Sequence, residues 1–399
     1  MLPRARSRGQ LGLALATVVF QGAVTQAATD PGLPGAFIAE RIELDVPADG
    51  GRTLTADLHY PGDGSGSVDP AAGRCPAVVF GHGFARSRAR YVDFGAHLAS
   101  RGFLVLVPDF SGADHSQNAD DLSAGLDWLL AEDARAGSLL FERVDATALG
   151  SSGHSAGGLS ALVALSRDPR LVTAAPLDPV DSGELGTTAL ASTTAPVAIT
   201  HSEDSACNAF GSARDLYEAA IGPKRRVLVV DGNHCDPEMP SDLLCSLPCG
   251  GANAERQALY RKLVTGWLEH WLRCDASYAP WVSGVELAAD VMAGRVVTES
   301  MPDPVEADCV VVPPGEVTGL RVTTSGDDLV LSWDPLVSEP VVESYRVYRS
   351  TVPEVVRVTS ERVGEVPAPT VELVLPGERT TLASSFFVVR AANAGGEGP

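Results

Sequence analysis

From residue 37 to about residue 272, short apolar runs alternate with stretches whose apolar positions recur at helical spacing. A strand covered on both faces reads as an unbroken apolar run, so this rhythm predicts a mostly parallel sheet flanked by helices, an α/β architecture. Strands are expected at 38–46, 54–60, 77–80, 103–107, 146–149, 171–175, 197–200 and 227–230. Helices are expected at 91–100, 120–130, 159–165 and 254–272. In the last of these, Trp267 and Trp271 lie four residues apart and share a face.

Beyond Cys309 the texture changes. Pro313, Pro314 and Gly315 form a breaker cluster, and no helical period follows. Residues 317–322, 329–333, 344–349 and 386–391 alternate as half-buried strands do, at a spacing that predicts a small all-β sandwich. The expected organisation is therefore an export signal over 1–28, an α/β catalytic unit over 29–312 and a β module over 313–399. The chain stops at Pro399 before a full last strand, so the module is expected to be incomplete, with an open edge.

Charge narrows the class of partner. The formal net charge is −21, and Lys224 and Lys262 are the only lysines. Such a surface repels nucleic acid and anionic membranes. Arg4, Arg6 and Arg8 precede an uncharged apolar run at 11–20, and Ala27 and Ala28 follow as small residues before Asp30-Pro31. This pattern predicts export with cleavage, and the run is too short to span a bilayer, so a secreted protein without a membrane anchor is expected. Its seven cysteines are then expected in disulfides, with one left over. Cys235 is expected to pair with Cys207, Cys245 or Cys249, tying down the loop after His234. The histidines near Cys245 and Cys249 do not complete a zinc pattern, so neither metal nor cofactor is expected.

The chemistry gathers at Gly153-His154-Ser155-Ala156-Gly157-Gly158, between a predicted strand and a predicted helix. A serine hydroxyl becomes nucleophilic when a base takes its proton, and a sharp turn between strand and helix exposes it. Small residues two positions on either side keep the turn clear of its neighbours. The backbone N–H of Ala156 opens the following helix and can donate to a developing oxyanion. A second donor belongs to the loop after the third strand, where the N–H of Phe84 in His82-Gly83-Phe84 is the candidate; His82 is read as shaping that loop. The base is expected after the last strands, at His234 in Asp231-Gly232-Asn233-His234, ahead of His201 and His270. Two carboxylates compete as the acid. Asp178 follows the strand at 171–175 and Asp204 the strand at 197–200, the commoner topological place.

These segments resemble two groups of α/β-hydrolases, the chlorophyllase-like hydrolases and the cutinase-like polyester hydrolases. The resemblance runs over about 50–275, through Val78-Val79-Phe80-Gly81-His82-Gly83-Phe84, Leu98-Ala99-Ser100-Arg101-Gly102-Phe103 and the segment around Ser155. Polyester hydrolases place the acid after the later strand, although the strand alignment sets Ser205 at that position. Chlorophyllase-like sequences place it in an Asp-Pro-Val segment, which matches Asp178-Pro179-Val180 and favours Asp178. Polyester hydrolases also carry a tryptophan where Val180 stands, so an aromatic clamp is missing on that side, while Phe84 fits their aromatic beside the oxyanion hole. No long insertion reads as a lid.

The tail resembles a fibronectin type III module through Leu331-Ser332-Trp333-Asp334-Pro335, Ser344-Tyr345-Arg346-Val347-Tyr348-Arg349 and Ala391-Ala392-Asn393-Ala394-Gly395, with Ser385 where that family often has tyrosine. The expected function is a secreted carboxylic ester hydrolase acting on small or polymeric esters, with the tail a spacer or a surface or matrix contact. Peptidase or acyltransferase activity on the same scaffold, and a non-catalytic adhesion protein, are the alternatives.

Overall fold

The computed structural model describes residues 29–300, 317–336, 342, 344–350, 361–377, 386–393 and 396–397. The expected export signal at 1–28, the breaker at 313–315, Cys309 and Ser385 lie outside the described residues.

Nine strands form one sheet. In chain order they are β1 (Ile38–Ala48), β2 (Arg52–Gly62), β3 (Cys75–Gly81), β4 (Leu104–Pro108), β5 (Val144–His154), β6 (Leu171–Leu177), β7 (Val197–His201), β8 (Lys224–Val229) and β9 (Val296–Ser300). Their spatial order is β1-β2-β4-β3-β5-β6-β7-β8-β9. The six from β4 to β8 run parallel, and the ends are antiparallel: β1 on β2, β2 on β4, and β9 on β8. Every residue of the central β3 is buried, as a strand covered on both faces must be.

Helices cover both faces, as the alternation predicted. On one side α2 (His115–Ala134) and α3 (Ala156–Arg167) enclose a core built on Leu122, Leu126, Leu159 and Leu162. On the other, α1 (Val92–Ser100) and α7 (Ala254–Arg273) close over Phe80, Phe94, Tyr260 and Trp267. The Trp267 indole N–H donates to Thr173 Oγ1 at 2.8 Å, locking α7 to β6. Helix α2 starts five residues before its expected start because Asp114 accepts from the N–H groups of Ser116 and Gln117 and caps it.

Six elements of this unit were not expected: α4 (Leu185–Leu190), α5 (Ser212–Ala219), α6 (Leu243–Cys249), α8 (Ala279–Val282), α9 (Val285–Met292) and β9. All are eight residues or shorter, too short for a periodic pattern to stand out. Helix α6 also contains Pro248 and reads as a loop.

The described tail is antiparallel throughout. Strands β10 (Arg321–Ser325), β11 (Asp328–Ser332) and β14 (Glu372–Leu375) form one sheet. Strands β13 (Glu361–Pro367), β12 (Ser344–Ser350), β15 (Phe386–Asn393) and β16 (Gly396–Glu397) form a second. Leu331 and Leu375 from the first, with Trp333 just past β11, pack with Tyr345, Val347 and Val389 from the second, so the described tail is a small two-sheet β module. Among the described residues, β16 pairs with β15 over two residues.

Candidate active site

Strand β5 runs straight into Ser155, which stands at the junction with α3 at φ 57° and ψ −121°. A non-glycine residue there carries roughly 1–3 kcal/mol of backbone strain, the cost of presenting its hydroxyl at a sharp bend. The neighbouring glycines have a steric cause. A Cβ on Gly157 would lie 2.2 Å from the Gly81 backbone, and one on Gly153 2.5 Å from the Gly157 carbonyl oxygen. The bend therefore packs backbone to backbone against the end of β3.

Three side chains from three strand ends meet here. His234 Nε2 lies 2.9 Å from Ser155 Oγ, and His234 Nδ1 lies 2.7 Å from Asp178 Oδ2. His234 follows β8, and Asp178 follows β6 in a left-handed turn at φ 42°, a conformation aspartate tolerates better than most residues. Its carboxylate is fully buried yet well supplied with donors. Oδ2 also accepts from Ser202 Oγ at 2.6 Å, while Oδ1 accepts from the Ser202 N–H at 3.1 Å and Asn208 Nδ2 at 3.3 Å. Burial alone pushes this carboxyl up, but the hydrogen bonds and charge of His234, with those of Ser202, outweigh it and hold the group at about 2.

Asp204, the other candidate acid, is not joined to the histidine. Its carboxylate lies against Gly211 and lines a separate cavity with Phe210, Arg214 and Arg226. Ser205, at the position the polyester-hydrolase alignment indicated, caps a short turn through Cys207 and Asn208.

Planar peptides fix the two backbone donors. The Gly83 carbonyl accepts from the Arg86 N–H at 3.0 Å and lies 2.8 Å from His82 Nδ1. Because a trans peptide points its C=O and N–H in opposite directions, anchoring that oxygen aims the Phe84 N–H the other way. The Ser155 carbonyl likewise accepts from Leu159 and Val180, which leaves the Ala156 N–H facing out of the start of α3. Phe84 and Ala156 line one cavity of about 280 Å³ with Phe110, His115 and Asn118.

The remaining histidines divide cleanly. His82 Nε2 accepts from the Phe110 N–H at 2.8 Å, so both ring nitrogens are engaged in holding the loop, and burial lowers its pKa. His201 is buried with Nδ1 at 2.9 Å from the Ser202 carbonyl oxygen, and His270 packs on Trp271 in α7; neither approaches Ser155 through a hydrogen bond. His154 is a buried neighbour of the pair. Its ring centroid is 4.6 Å from that of His234, and its Nδ1 is 3.0 Å from the Tyr91 hydroxyl, which accepts from the Gly83 N–H. Burial first, and the charge of His234 second, hold His154 well below the usual histidine range, so it stays neutral.

Sequence reasoning missed Ser202, Asn208 and Tyr91. Only the polar cluster Ser202-Glu203-Asp204-Ser205 at the end of β7 hinted that something there serves the site. The cysteines resolve into Cys235–Cys245 and Cys207–Cys249. Cys235 thus takes one of the three expected partners, and α6 is tied both to the loop after His234 and to the segment carrying Asn208. Cys235, Cys245 and Cys249 bring their sulfurs within 4.8 Å of one another, but all three are spent in disulfides and cannot serve as thiolate ligands.

A lipase from Moraxella sp. is 29% identical over 194 residues, covering 48% of this chain and 56% of its own length. A cutinase from Thermobifida alba is 32% identical over 105 residues, 26% of this chain and 34% of its own. A bis(hydroxyethyl) terephthalate hydrolase from Streptomyces coelicolor is 32% identical over 133 residues, 32% and 41% respectively. The chain thus spans about half or less of the length of these relatives. The model of a family described as PET hydrolase-like matches residues 48–289, more than half of the chain and the whole of the site, and the protein therefore belongs to the PET hydrolase-like family of α/β-hydrolases.

Proposed function

We propose that the chain is a secreted serine hydrolase that cleaves carboxylic esters through an acyl-enzyme on Ser155. The observation that carries this reading is the continuous line from Ser155 Oγ through His234 to Asp178, at 2.9 Å and 2.7 Å. His234 Nε2 accepts the Ser155 proton as the hydroxyl attacks the ester carbonyl, then returns it to the leaving alcohol. Asp178 keeps the imidazole proton on Nδ1, so that Nε2 is free to act as base, and stabilises the imidazolium that forms. The tetrahedral oxyanion is met by the N–H groups of Phe84 and Ala156, whose carbonyl partners fix their direction. Water activated through the same histidine hydrolyses the acyl-enzyme.

The lipase, cutinase and terephthalate-ester hydrolase among the relatives favour an ester over a peptide. Val180 in place of the polyester hydrolases' tryptophan favours non-aromatic or small esters over a polymer ring. Among the described residues no helix is long and apolar enough to cross a membrane, and the two disulfides suit an oxidising compartment. For the tail, the three- and four-stranded sheets packed on Trp333 and Tyr345 support a fibronectin type III-like module, acting as a spacer or a surface contact.

Ser155→Ala is expected to lower kcat on p-nitrophenyl esters by about 10⁴-fold or more and to abolish labelling by a fluorophosphonate. Peptide cleavage without ester cleavage would overturn the substrate class. Ester turnover undiminished in Ser155→Ala would overturn the mechanism.

A further inference from the structure

The turn that carries the Phe84 N–H and the loop that carries His234 are far apart in sequence, yet one side chain joins them. Residues Gly83 to Arg86 close a turn through the Arg86 N–H, with Ala85 at φ 53°. The Arg86 guanidinium then reaches across to the loop after His234. Its Nε donates to Glu238 Oε1 at 2.5 Å, and its Nη2 donates to Glu238 Oε2 at 2.8 Å and to Asp242 Oδ1 at 2.6 Å. Glu238 is completely buried, and only 10% of the Arg86 side chain is exposed.

Both ends of this bridge are tied in further. The Glu238 carbonyl accepts from Gln257 Nε2 at 2.8 Å, and the next residue, Met239, donates its N–H to the Arg90 carbonyl at 2.7 Å. Asp242 caps α6 by accepting from the Leu244 and Cys245 N–H groups, and α6 is held by both disulfides. On the other side, a Cβ on Gly83 would stand 3.2 Å from Arg86 Cγ and 3.3 Å from His154 Nδ1, so the turn, the arginine and the histidine shell are in direct packing contact.

From this geometry, and resting on the proposed ester hydrolysis, we infer that Arg86 is a positioning residue of the reaction, clamping the oxyanion turn to the histidine loop through buried Glu238. The chemical reason is that attack needs two distances at once. The carbonyl carbon must sit at Ser155 while its oxygen sits at Phe84 and Ala156, and a loosened turn loses the second without losing substrate binding. A planar guanidinium gripping one carboxylate with two parallel bonds fixes orientation as well as distance, which an ammonium cannot do. The clamp therefore acts on the oxyanion and leaves the ground-state ester nearly untouched.

The test uses Arg86→Lys, Arg86→Gln and Glu238→Gln in the full chain, each normalised to active sites by fluorophosphonate titration. Arg86→Lys keeps the charge beside Glu238, so it guards against a folding failure. Arg86→Gln is expected to lower kcat on p-nitrophenyl butyrate by about 10- to 100-fold with KM within threefold, the range expected for a weakened oxyanion donor. Affinity for a trifluoromethyl ketone, whose adduct carries the oxyanion, should fall by the same factor. Arg86→Lys should recover part of both losses, and Arg86→Gln/Glu238→Gln should lose little more than either single change. A variant that melts earlier but keeps kcat and ketone affinity within threefold would overturn the inference. Loss of the Ser155 dependence of ester turnover would instead overturn the reading on which it rests.

Discussion

Replacing Asp178 by asparagine separates the two competing carboxylates and exploits the way this one is held. The carboxylate offers two acceptor oxygens, and every group around them is a donor: His234 Nδ1 and Ser202 Oγ on Oδ2, the Ser202 N–H and Asn208 Nδ2 on Oδ1. An amide cannot satisfy this shell in either orientation. With its NH₂ toward Oδ2 it meets the imidazole proton and drives that proton to Nε2, where it points at Ser155 and the base is lost. With its NH₂ toward Oδ1 it faces two donors in a fully buried site, leaving unmatched polar groups at about 1–3 kcal/mol each. Loss of the correct tautomer alone lowers kcat about 10⁴-fold in a comparable triad. The expected result for Asp178→Asn is therefore a fall of about that size in kcat on p-nitrophenyl butyrate, with KM little changed. Asp204→Asn, whose carboxylate lies against Gly211 and makes no bond to the histidine, should stay within about twofold, the size usual for a substitution that breaks no buried network. Asp178→Asn with kcat within tenfold of the parent, or a crippled Asp204→Asn, would refute the role proposed for Asp178.

Acid should destabilise the protein over two successive pH windows. His59 and His97 are buried, and burial, helped for His59 by Arg41 and opposed for His97 by the Pro31 carbonyl, lowers each to about 4. The unfolded chain takes up their protons near pH 6.5 and the folded one does not, so stability falls as pH drops from about 6.5 to about 4, by up to ~1.4 kcal/mol per pH unit per histidine. Asp178 works in the next window: held at about 2 when folded, it favours the folded state above about pH 4, an advantage lost as pH falls toward 2. Urea melts at pH 6.5, 4.5 and 3 check both windows, and His59→Leu should remove one histidine's share of the slope in the first. The disulfides should differ in worth, because Cys207–Cys249 spans 42 residues and Cys235–Cys245 spans 10. Chain entropy then assigns them about 4 and about 2.7 kcal/mol, and urea midpoints of Cys207→Ser/Cys249→Ser against Cys235→Ser/Cys245→Ser should follow that order.

The parallel strands and the large helices were legible because each repeats a pattern over many residues. The bend at Ser155 was legible because backbone packing against Gly81 demands glycine at 153 and 157, which leaves a mark in the residues themselves. What surrounds the proposed acid was not. Ser202 and Asn208 reach Asp178 from another strand end, and a serine or asparagine in a loop looks the same whether it faces water or a buried carboxylate. The choice between Asp178 and Asp204 was undecidable from spacing for the same reason, since each ends a neighbouring strand. Short helices such as α6 are set by a capping aspartate and two disulfides rather than by periodicity, so their causes lie in tertiary partners.

The antiparallel strands at the two margins of the large sheet bear on how the nine-stranded unit can be cut out of the chain. The segment shared with relatives begins at residue 48 and ends at 289, so it omits nearly all of β1 and the whole of β9. Excision at those limits would leave β2 and β8 with bare rows of N–H and C=O groups, the template on which separate molecules stack edge to edge. A fragment for expression should therefore begin before Ile38 and reach past Ser300, or precipitation will be mistaken for a failure to fold.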